Sequence, residues 1–249
     1  MHTSTAIVTK QKVCLIVGAG DATGSAIAKR FAQADFTVCV TRRTPEASAT
    51  LVQSIQAAGG RAVAYPLDAR REDEVVALFK KIESEVGSLE VVVFNVGGNV
   101  RFPLLEMTAE KYFKTWEMCA MAGFLVGREA ARVLLPKGRG TILFTGATAS
   151  VRGGVGFSAF AGGKAALRAL AQSMAREFGP QGLHIAHVVV DGVIDSERVR
   201  NTQPERVAAL GDQGLLEPDS IARAYLWLHE QTPDAWTFEL DLRPGVEKW

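Results

Sequence analysis

Short apolar runs alternate with longer amphipathic segments along almost the whole chain. Residues 13–17 form one such run, and the segment at 23–34 then places Ile27 and Phe31 at helical spacing. The apolar runs predict strands at residues 13–17, 36–40, 62–67, 89–94, 141–144, 184–190 and 237–242. The amphipathic segments predict helices at residues 23–34, 46–58, 75–86, 109–135, 157–178, 204–210 and 218–230.

Seven strands interleaved with helices predict a doubly wound, mostly parallel sheet. Parallel strands need crossover connections, and the crossover helices cover both faces of the sheet. The first apolar run shows no alternation of polar and apolar residues, which is typical of a strand buried on both faces. No repeat, composition break or low-complexity linker divides the chain. We therefore predict a single α/β domain over residues 1–249, with its core at about 12–243.

Charge and composition narrow the class of partner. The 249 residues include 28 Lys and Arg against 27 Asp and Glu, which gives a net charge of +1. This balance argues against nucleic acid or an anionic membrane as the main partner, since both select for excess basic charge. No run approaches the roughly 18 apolar residues of a membrane span. Residues 1–12 are too polar for a secretory signal, so the expected location is cytoplasmic.

The cysteines do not suggest a disulfide framework or a zinc site. Cys14, Cys39 and Cys119 are an odd number, and none of them belongs to a CxxC pair. Cys14 and Cys39 lie in predicted strands, where buried free thiols are common. The four histidines show no ligand spacing either. We expect no metal site.

A glycine-rich loop follows the first predicted strand and opens the first helix. Residues 18–24 read Gly-Ala-Gly-Asp-Ala-Thr-Gly. In that position, glycines let the backbone approach a pyrophosphate, and the helix N-terminus supplies free N–H groups and positive potential. The loop lacks the Lys-Ser/Thr pair of a P-loop, which disfavours NTP hydrolysis. The alternative is that these glycines only allow the chain to turn.

The loop also carries a family resemblance. The spacing Gly18-x3-Ala22-x-Gly24 resembles the TGxxxGxG loop of the short-chain dehydrogenases/reductases, with Ala22 in place of the middle glycine and Val17 in place of the threonine. Asp68 follows the third strand where that family has an adenine-contacting aspartate. The resemblance covers residues 12–243 and implies a Rossmann-like fold and a small-molecule substrate or ligand. It also implies a homotetramer or homodimer.

Three later segments extend the resemblance. Residues 95–97, Asn-Val-Gly, are similar to the family's NAG segment, and residues 191–196 stand where it has PGxIxT. Residues 160–164 stand where it has YxxxK. The cofactor-binding residues implied in this way are Gly18, Asp21, Ala22, Thr23, Gly24, Arg42, Arg43, Asp68, Asn95, Gly97, Lys164, Ile194 and Ser196.

Arginines at the end of the second strand favour NADP(H) over NAD. An acidic residue there would bind the ribose hydroxyls of NAD, whereas arginine can bind a 2′-phosphate through two hydrogen bonds. Arg42 and Arg43 occupy this position. Asp21 instead favours NAD, because members of the family that prefer NADP often carry a basic residue in that part of the loop. NADP is therefore the predicted cofactor, with NAD as the alternative.

The resemblance also implies a catalytic set that this sequence lacks in part. The family uses a tyrosine, a lysine four residues later, a serine 13 residues before the tyrosine, and an asparagine on the long helix. Lys164 is present, whereas Phe160, Ala147 and Cys119 stand at the tyrosine, serine and asparagine positions. A phenyl ring cannot donate a proton. Lys164 is thus the one predicted catalytic residue, and the other three are expected in the substrate pocket.

Two neighbouring polar residues are candidates to replace the missing groups. The Thr148 hydroxyl follows the serine position, although a bond to solvent or backbone is the stronger expectation. Asp191 stands where the family has proline and is a candidate to pair with Lys164 or carry a proton, unless the Asp-Gly pair only forms a turn.

Three functions remain open at this point. The first is an NADP(H)-dependent oxidoreductase with an atypical active site, acting on an unidentified carbonyl or alcohol. The alternative is a catalytically inactive dinucleotide-binding protein, acting as a sensor or structural subunit. The third is a lyase or isomerase that uses the dinucleotide only as a scaffold.

Overall fold

The computed structural model of this chain describes residues 11–247, apart from the side chain of Asp212. Its strands are β1 Lys12–Val17, β2 Thr37–Arg42, β3 Arg61–Pro66, β4 Ser88–Phe94, β5 Gly140–Thr145, β6 Leu183–Val190, β7 Val193–Ile194, β8 Leu215–Leu216 and β9 Glu239–Leu242. Its helices are α1 Thr23–Gln33, α2 Ala49–Ala57, α3 Glu72–Lys81, α4 Ala109–Trp116, α5 Ala122–Leu134, α6 Ser158–Phe178, α7 Glu197–Thr202, α8 Pro204–Leu210 and α9 Pro218–Glu230.

One sheet organises the molecule. Its seven strands lie in the order β3-β2-β1-β4-β5-β6-β9, and all neighbours pair in parallel. The predicted doubly wound, Rossmann-like sheet is therefore confirmed. Strand order reverses between β1 and β4, and such a reversal opens a crevice beyond the carboxyl ends of the strands. The single-domain boundaries remain a prediction.

Two hydrophobic layers explain why the first strand shows no polar alternation. Val13, Leu15 and Val17 point to the layer that contains α3, α5 and α6. Cys14 and Ile16 point to the opposite layer, with α1, α2 and α9. Successive side chains of a strand face opposite sides, so both sets must be apolar.

The structure refines some predicted elements. The segment predicted as one helix at 109–135 is α4 and α5 joined by a π-helical turn, Glu117–Met121. The helix predicted from residue 46 begins instead with a 3₁₀ turn, Pro45–Ser48, before α2. The short elements that were not predicted include α7 and the two-residue strands β7 and β8. Strands of two residues are too short to show any periodicity.

The structure bears on the expectation about membrane spans but not on the one about a secretory signal. Residues 1–10, which carry most of the argument against a secretory signal, lie outside the described residues. Within residues 11–247, none of the helices combines the length and apolar character that crossing a bilayer requires.

Candidate dinucleotide and active site

A cleft of about 420 Å³ opens at the carboxyl ends of β1, β2 and β4. It is the crevice expected at the reversal of strand order. Its lining residues are Val17, Gly18, Gly20, Thr41, Arg42, Arg43, Thr44, Ala47, Leu67, Asp68, Ala69, Arg70, Asn95, Val96, Gly97, Met118 and Ala122.

The glycine loop is packed too tightly for side chains at two of its positions. Gly18 has a φ of +90°, and a Cβ there would lie 2.9 Å from the carbonyl oxygen of Asn95. A Cβ on Gly24 would lie 2.6 Å from the carbonyl oxygen of Gly18. The Asn95 side chain donates a hydrogen bond to Gly18 O at 2.9 Å. The loop is thereby fixed against the end of β4.

The start of α1 suits an anion. Ala22 is the N-cap residue and gives no side-chain cap, and the first turn carries no acidic residue. The first N–H groups of a helix have no partner within the helix, and the helix dipole favours negative charge there. Thr23, also in the first turn, has a buried hydroxyl with no hydrogen-bond partner within residues 11–247. A phosphate oxygen there would accept hydrogen bonds from the free N–H groups of α1 and from the Thr23 hydroxyl.

The two arginines after β2 have different surroundings. Arg42 donates through Nε to Ala19 O at 2.5 Å and forms an ion pair with Asp21. Arg43 is exposed, lines the cleft and forms no ion pair among the described residues. Asp21 therefore holds Arg42 against the glycine loop, whereas no such ion pair holds Arg43 among the described residues.

Asp68 is held by an arginine that the sequence analysis did not single out. Arg70 donates to both carboxylate oxygens of Asp68, at 2.9 and 2.6 Å. These hydrogen bonds lower the pKa of Asp68. Arg70 also lies 3.6 Å from Glu117 in the π-helical turn. The sequence offered one indication of this pair, because Arg70 lies only two residues after Asp68.

Lys164 lies on α6 and is nearly inaccessible, with 3% of its surface exposed. Its Nζ donates to Thr145 O at 2.7 Å and to Val96 O at 3.2 Å. Burial lowers the pKa of this amine. A Cβ on Gly97 would lie 3.5 Å from Nζ. The amine is therefore adjacent to the Gly97 edge of the cleft.

The three predicted pocket residues lie together beside this lysine. Phe160 and Cys119 form a small apolar cluster with Ala149, and Ala147 packs against it. The Phe160 ring centroid is 5.9 Å from Lys164 Nζ. Cys119 belongs to the π-helical turn and is fully buried. Carbon and sulfur atoms thus surround the amine on this side.

The structure differs from the stronger expectation for Thr148 and from the Lys164 pairing considered for Asp191. Thr148 donates its hydroxyl proton to Asp191, and not to solvent or backbone. Asp191, only 2% exposed, pairs with Arg152 at 3.6 Å and Arg243 at 3.3 Å, and no ion pair joins it to Lys164 within residues 11–247. A buried carboxylate takes the nearest donors, and the two arginines lie closer to it than the amine does.

The predicted cofactor residues fall into two groups. Those that line the cleft are Gly18, Arg42, Arg43, Asp68, Asn95 and Gly97. Those outside its lining are Asp21, Ala22, Thr23, Gly24, Lys164, Ile194 and Ser196. Ile194 lies in β7, and the Ser196 hydroxyl caps α7 by accepting from Val199 N at 3.2 Å.

Some lining residues had no signal in the sequence. Met118 lies in the π-helical turn and Ala122 directly follows it, and both line the cleft. A plain helical periodicity does not predict such a turn. No group of three or more His, Cys, Asp or Glu suited to a metal occurs in the described part of the chain.

Solved structures of other proteins share this architecture. A crystal structure of a short-chain dehydrogenase from Rhodopseudomonas palustris is 47% identical, with a TM-score of 0.81, and covers 94% of this chain and 98% of its own. A metagenomic short-chain oxidoreductase in complex with NADP is 23% identical, with a TM-score of 0.80 over 96% of this chain and 99% of its own.

A curated relative and a family model agree with these structures. The uncharacterized oxidoreductase YuxG of Bacillus subtilis is 30% identical over 220 residues, which are 86% of this chain but 31% of YuxG. This chain thus spans about a third of that relative's length. The family model described as short chain dehydrogenase matches residues 12–207. This chain therefore belongs to the short-chain dehydrogenase family.

Proposed function

We propose that this chain is an NADP(H)-dependent oxidoreductase with an atypical active site, which interconverts a carbonyl and an alcohol on an unidentified small molecule. One observation carries the proposal. A single cleft runs from the glycine loop, past Arg43 and Asp68, to the Gly97 edge beside Lys164. Phosphate-binding and amine groups are therefore reachable by one extended dinucleotide.

The residues present fit such a cofactor. The start of α1, with the orphaned Thr23 hydroxyl, would hold the pyrophosphate. Arg43 would bind the 2′-phosphate, and Asp68 the adenine amino group. Lys164 would donate to the ribose next to the nicotinamide. When bound, NADPH supplies a hydride to the substrate carbon. A metagenomic oxidoreductase of the same fold holds NADP, which supports this choice of dinucleotide.

The protein's own proton chemistry is the atypical part of the proposal. We infer that Phe160 and Ala147 stand where other family members carry a tyrosine and a serine. Neither side chain donates a hydrogen bond to a substrate oxygen. Loss of a general acid costs roughly 10²–10⁴-fold in rate, and loss of an oxyanion donor roughly 10²–10³-fold. We expect carbonyl reduction to be slower by about 10⁴-fold than with both groups present.

A second function has its own supporting observation. The apolar cluster of Cys119, Ala149 and Phe160 offers no hydroxyl group beside Lys164. A chain that binds the dinucleotide and turns nothing over would serve as a sensor or as a structural subunit. This function requires the same cleft but no turnover.

Turnover separates the two functions. The wild-type chain and the double variant Phe160→Tyr with Ala147→Ser are each mixed with NADPH and a panel of aldehydes and ketones, and NADPH consumption is followed. We expect slow consumption by the wild type and at least about 10²-fold faster consumption by the double variant. Binding without consumption by the wild type would favour the second function. If the double variant binds NADPH but gains no activity, these two positions do not limit the chemistry.

Assembly and location are further proposals. Exposed apolar side chains on and before α4 and on α5 include Leu105, Phe113 and Phe124. These exposed side chains support a homodimer or homotetramer, since contact with a second copy would remove their apolar surface from water. The cytoplasmic location remains a prediction.

A further inference from the structure

Lys164 has an unusual set of partners for a buried lysine. A buried ammonium group is normally paired with a carboxylate. Within residues 11–247, the amine of Lys164 has no carboxylate within ion-pair distance. It donates to the carbonyl oxygens of Val96 and Thr145 and lies 5.9 Å from the centroid of the Phe160 ring. Carbonyl oxygens accept hydrogen bonds from either protonation state of an amine. The two carbonyls therefore do not require the charged form, and the Phe160 ring lies at the outer limit of a cation–π contact.

The titratable groups around Lys164 do little to restore its charge. Cys119 faces it from the π-helical turn, and a thiolate there would favour the ammonium form. His187 faces it from β6, and burial lowers the pKa of that imidazole to about 4, so it is neutral. Burial is the largest influence on Lys164 and lowers its pKa. A neutral amine has the free electron pair that attacks carbonyl carbon.

A path to this amine exists at Gly97. Gly97 is exposed and lines the cleft. The position of its absent side chain lies 3.5 Å from both Cε and Nζ of Lys164. The glycine therefore leaves the amine next to the open cleft, where a small molecule can approach.

We propose that Lys164, in the chain free of dinucleotide, is a covalent binding site for small aldehydes that enter the cleft over Gly97. The amine nitrogen attacks the carbonyl carbon and forms a carbon–nitrogen bond. The carbonyl oxygen then leaves as water with both hydrogens of the neutral amine, and an imine remains. This chemistry goes beyond the proposed redox function, and NADP(H) would compete with it for the same edge of the cleft.

Lys137 is a matched control within the chain. It is partly buried and also donates to a backbone carbonyl, Leu89 O, at 2.8 Å. Unlike Lys164, it has a carboxylate partner, because its Nζ lies 2.7 Å from Glu83. The two lysines therefore share a carbonyl partner and differ in the carboxylate that only Lys137 contacts.

Reductive trapping tests the proposal. The full chain, freed of dinucleotide, is incubated with propanal near neutral pH, and sodium borohydride then reduces any imine to a stable secondary amine. Peptide mass mapping gives the labelling rate of each lysine. We expect Lys164 to be labelled at least about tenfold faster than Lys137, because an amine without a carboxylate partner is the better nucleophile. Labelling of Lys164 no faster than that of Lys137 would overturn the proposal.

A variant tests the path at Gly97. A Cβ at this position makes only ordinary contacts, so Gly97→Ala should keep its unfolding temperature. We expect the added methyl group to slow labelling of Lys164 several-fold and to leave Lys137 unchanged. Unchanged labelling of Lys164 would mean that aldehydes do not enter over Gly97.

NADPH titration of the same preparation separates this proposal from the proposed function. Saturable NADPH binding without labelling of Lys164 would rule out the aldehyde site and leave the proposed function standing. Labelling of Lys164 without NADPH binding would remove only the proposed function.

Discussion

His187 on β6 is fully buried and shows how one residue's surroundings set its charge. Its Nδ1 lies 3.0 Å from Glu239, and its Nε2 has no hydrogen-bond partner among the described residues. A second proton on Nε2 would therefore be buried without an acceptor. Burial lowers the pKa of His187 to about 4, against the opposing attraction of Glu239.

This lowered pKa predicts a loss of stability in mild acid. An unfolded histidine takes up its proton near pH 6.5, whereas the folded one resists until about pH 4. As pH falls from about 6.5 towards 4, the free energy of unfolding should therefore drop by up to ~3 kcal/mol. Unfolding temperatures measured across this range check the prediction. His229, whose pKa burial also lowers to about 4, acts in the same direction.

His187→Gln is the control for that experiment, because its amide can still donate to Glu239. The variant should lose stability less steeply between pH 6.5 and 5.5, above the range where most carboxylates take up protons. Equal slopes for the variant and the wild type would show that His187 does not titrate in this way.

The contact between α1 and the turn after β1 depends on Gly24. A Cβ there would meet backbone atoms of Gly18 and Ala19, which cannot rotate away. Alanine favours a helix by about 1 kcal/mol over glycine, whereas overpacking costs about 1–3 kcal/mol. We expect Gly24→Ala to lower the unfolding temperature by several degrees, as measured by circular dichroism.

Gly20→Ala is the matched control in the same loop. A Cβ on Gly20 would have no atom within 4 Å, and its backbone is not left-handed. This variant should unfold at the wild-type temperature. If both variants unfold at the same temperature, the close approach at Gly24 does not hold α1 in place.

The main elements were predictable because each one repeats a simple pattern. Both faces of β1 are covered, so its run is apolar throughout, and α1 buries Ile27 and Phe31 at helical spacing. The π-helical turn was not predictable, because it inserts one residue into a continuous helix without a proline or glycine to mark it.

The same distinction holds for the candidate site. Gly18 and Asn95 were found because local motifs mark them, although 77 residues separate them along the chain. The bond from Thr148 to Asp191 was not found, since it joins the ends of β5 and β6 across 43 residues. Side-chain pairing between strands depends on the packing of the whole sheet, which local sequence does not encode.

The proposed dinucleotide site spans the point where the strand order of the sheet reverses. The glycine loop and Arg43 lie on one side of this reversal, and Asn95 and Gly97 on the other. Charge complementarity between Arg43 and a 2′-phosphate should favour NADPH over NADH. A charge-assisted hydrogen bond contributes roughly 1.5–3 kcal/mol, which is about a 10–150-fold difference in affinity.

Calorimetric titration of the chain with NADPH and with NADH tests this claim most directly. We expect saturable binding of NADPH, at least about tenfold tighter than that of NADH. Arg43→Ala should weaken NADPH binding and leave NADH nearly unchanged, which would assign the preference to that side chain. Absence of saturable binding for both dinucleotides would contradict the account.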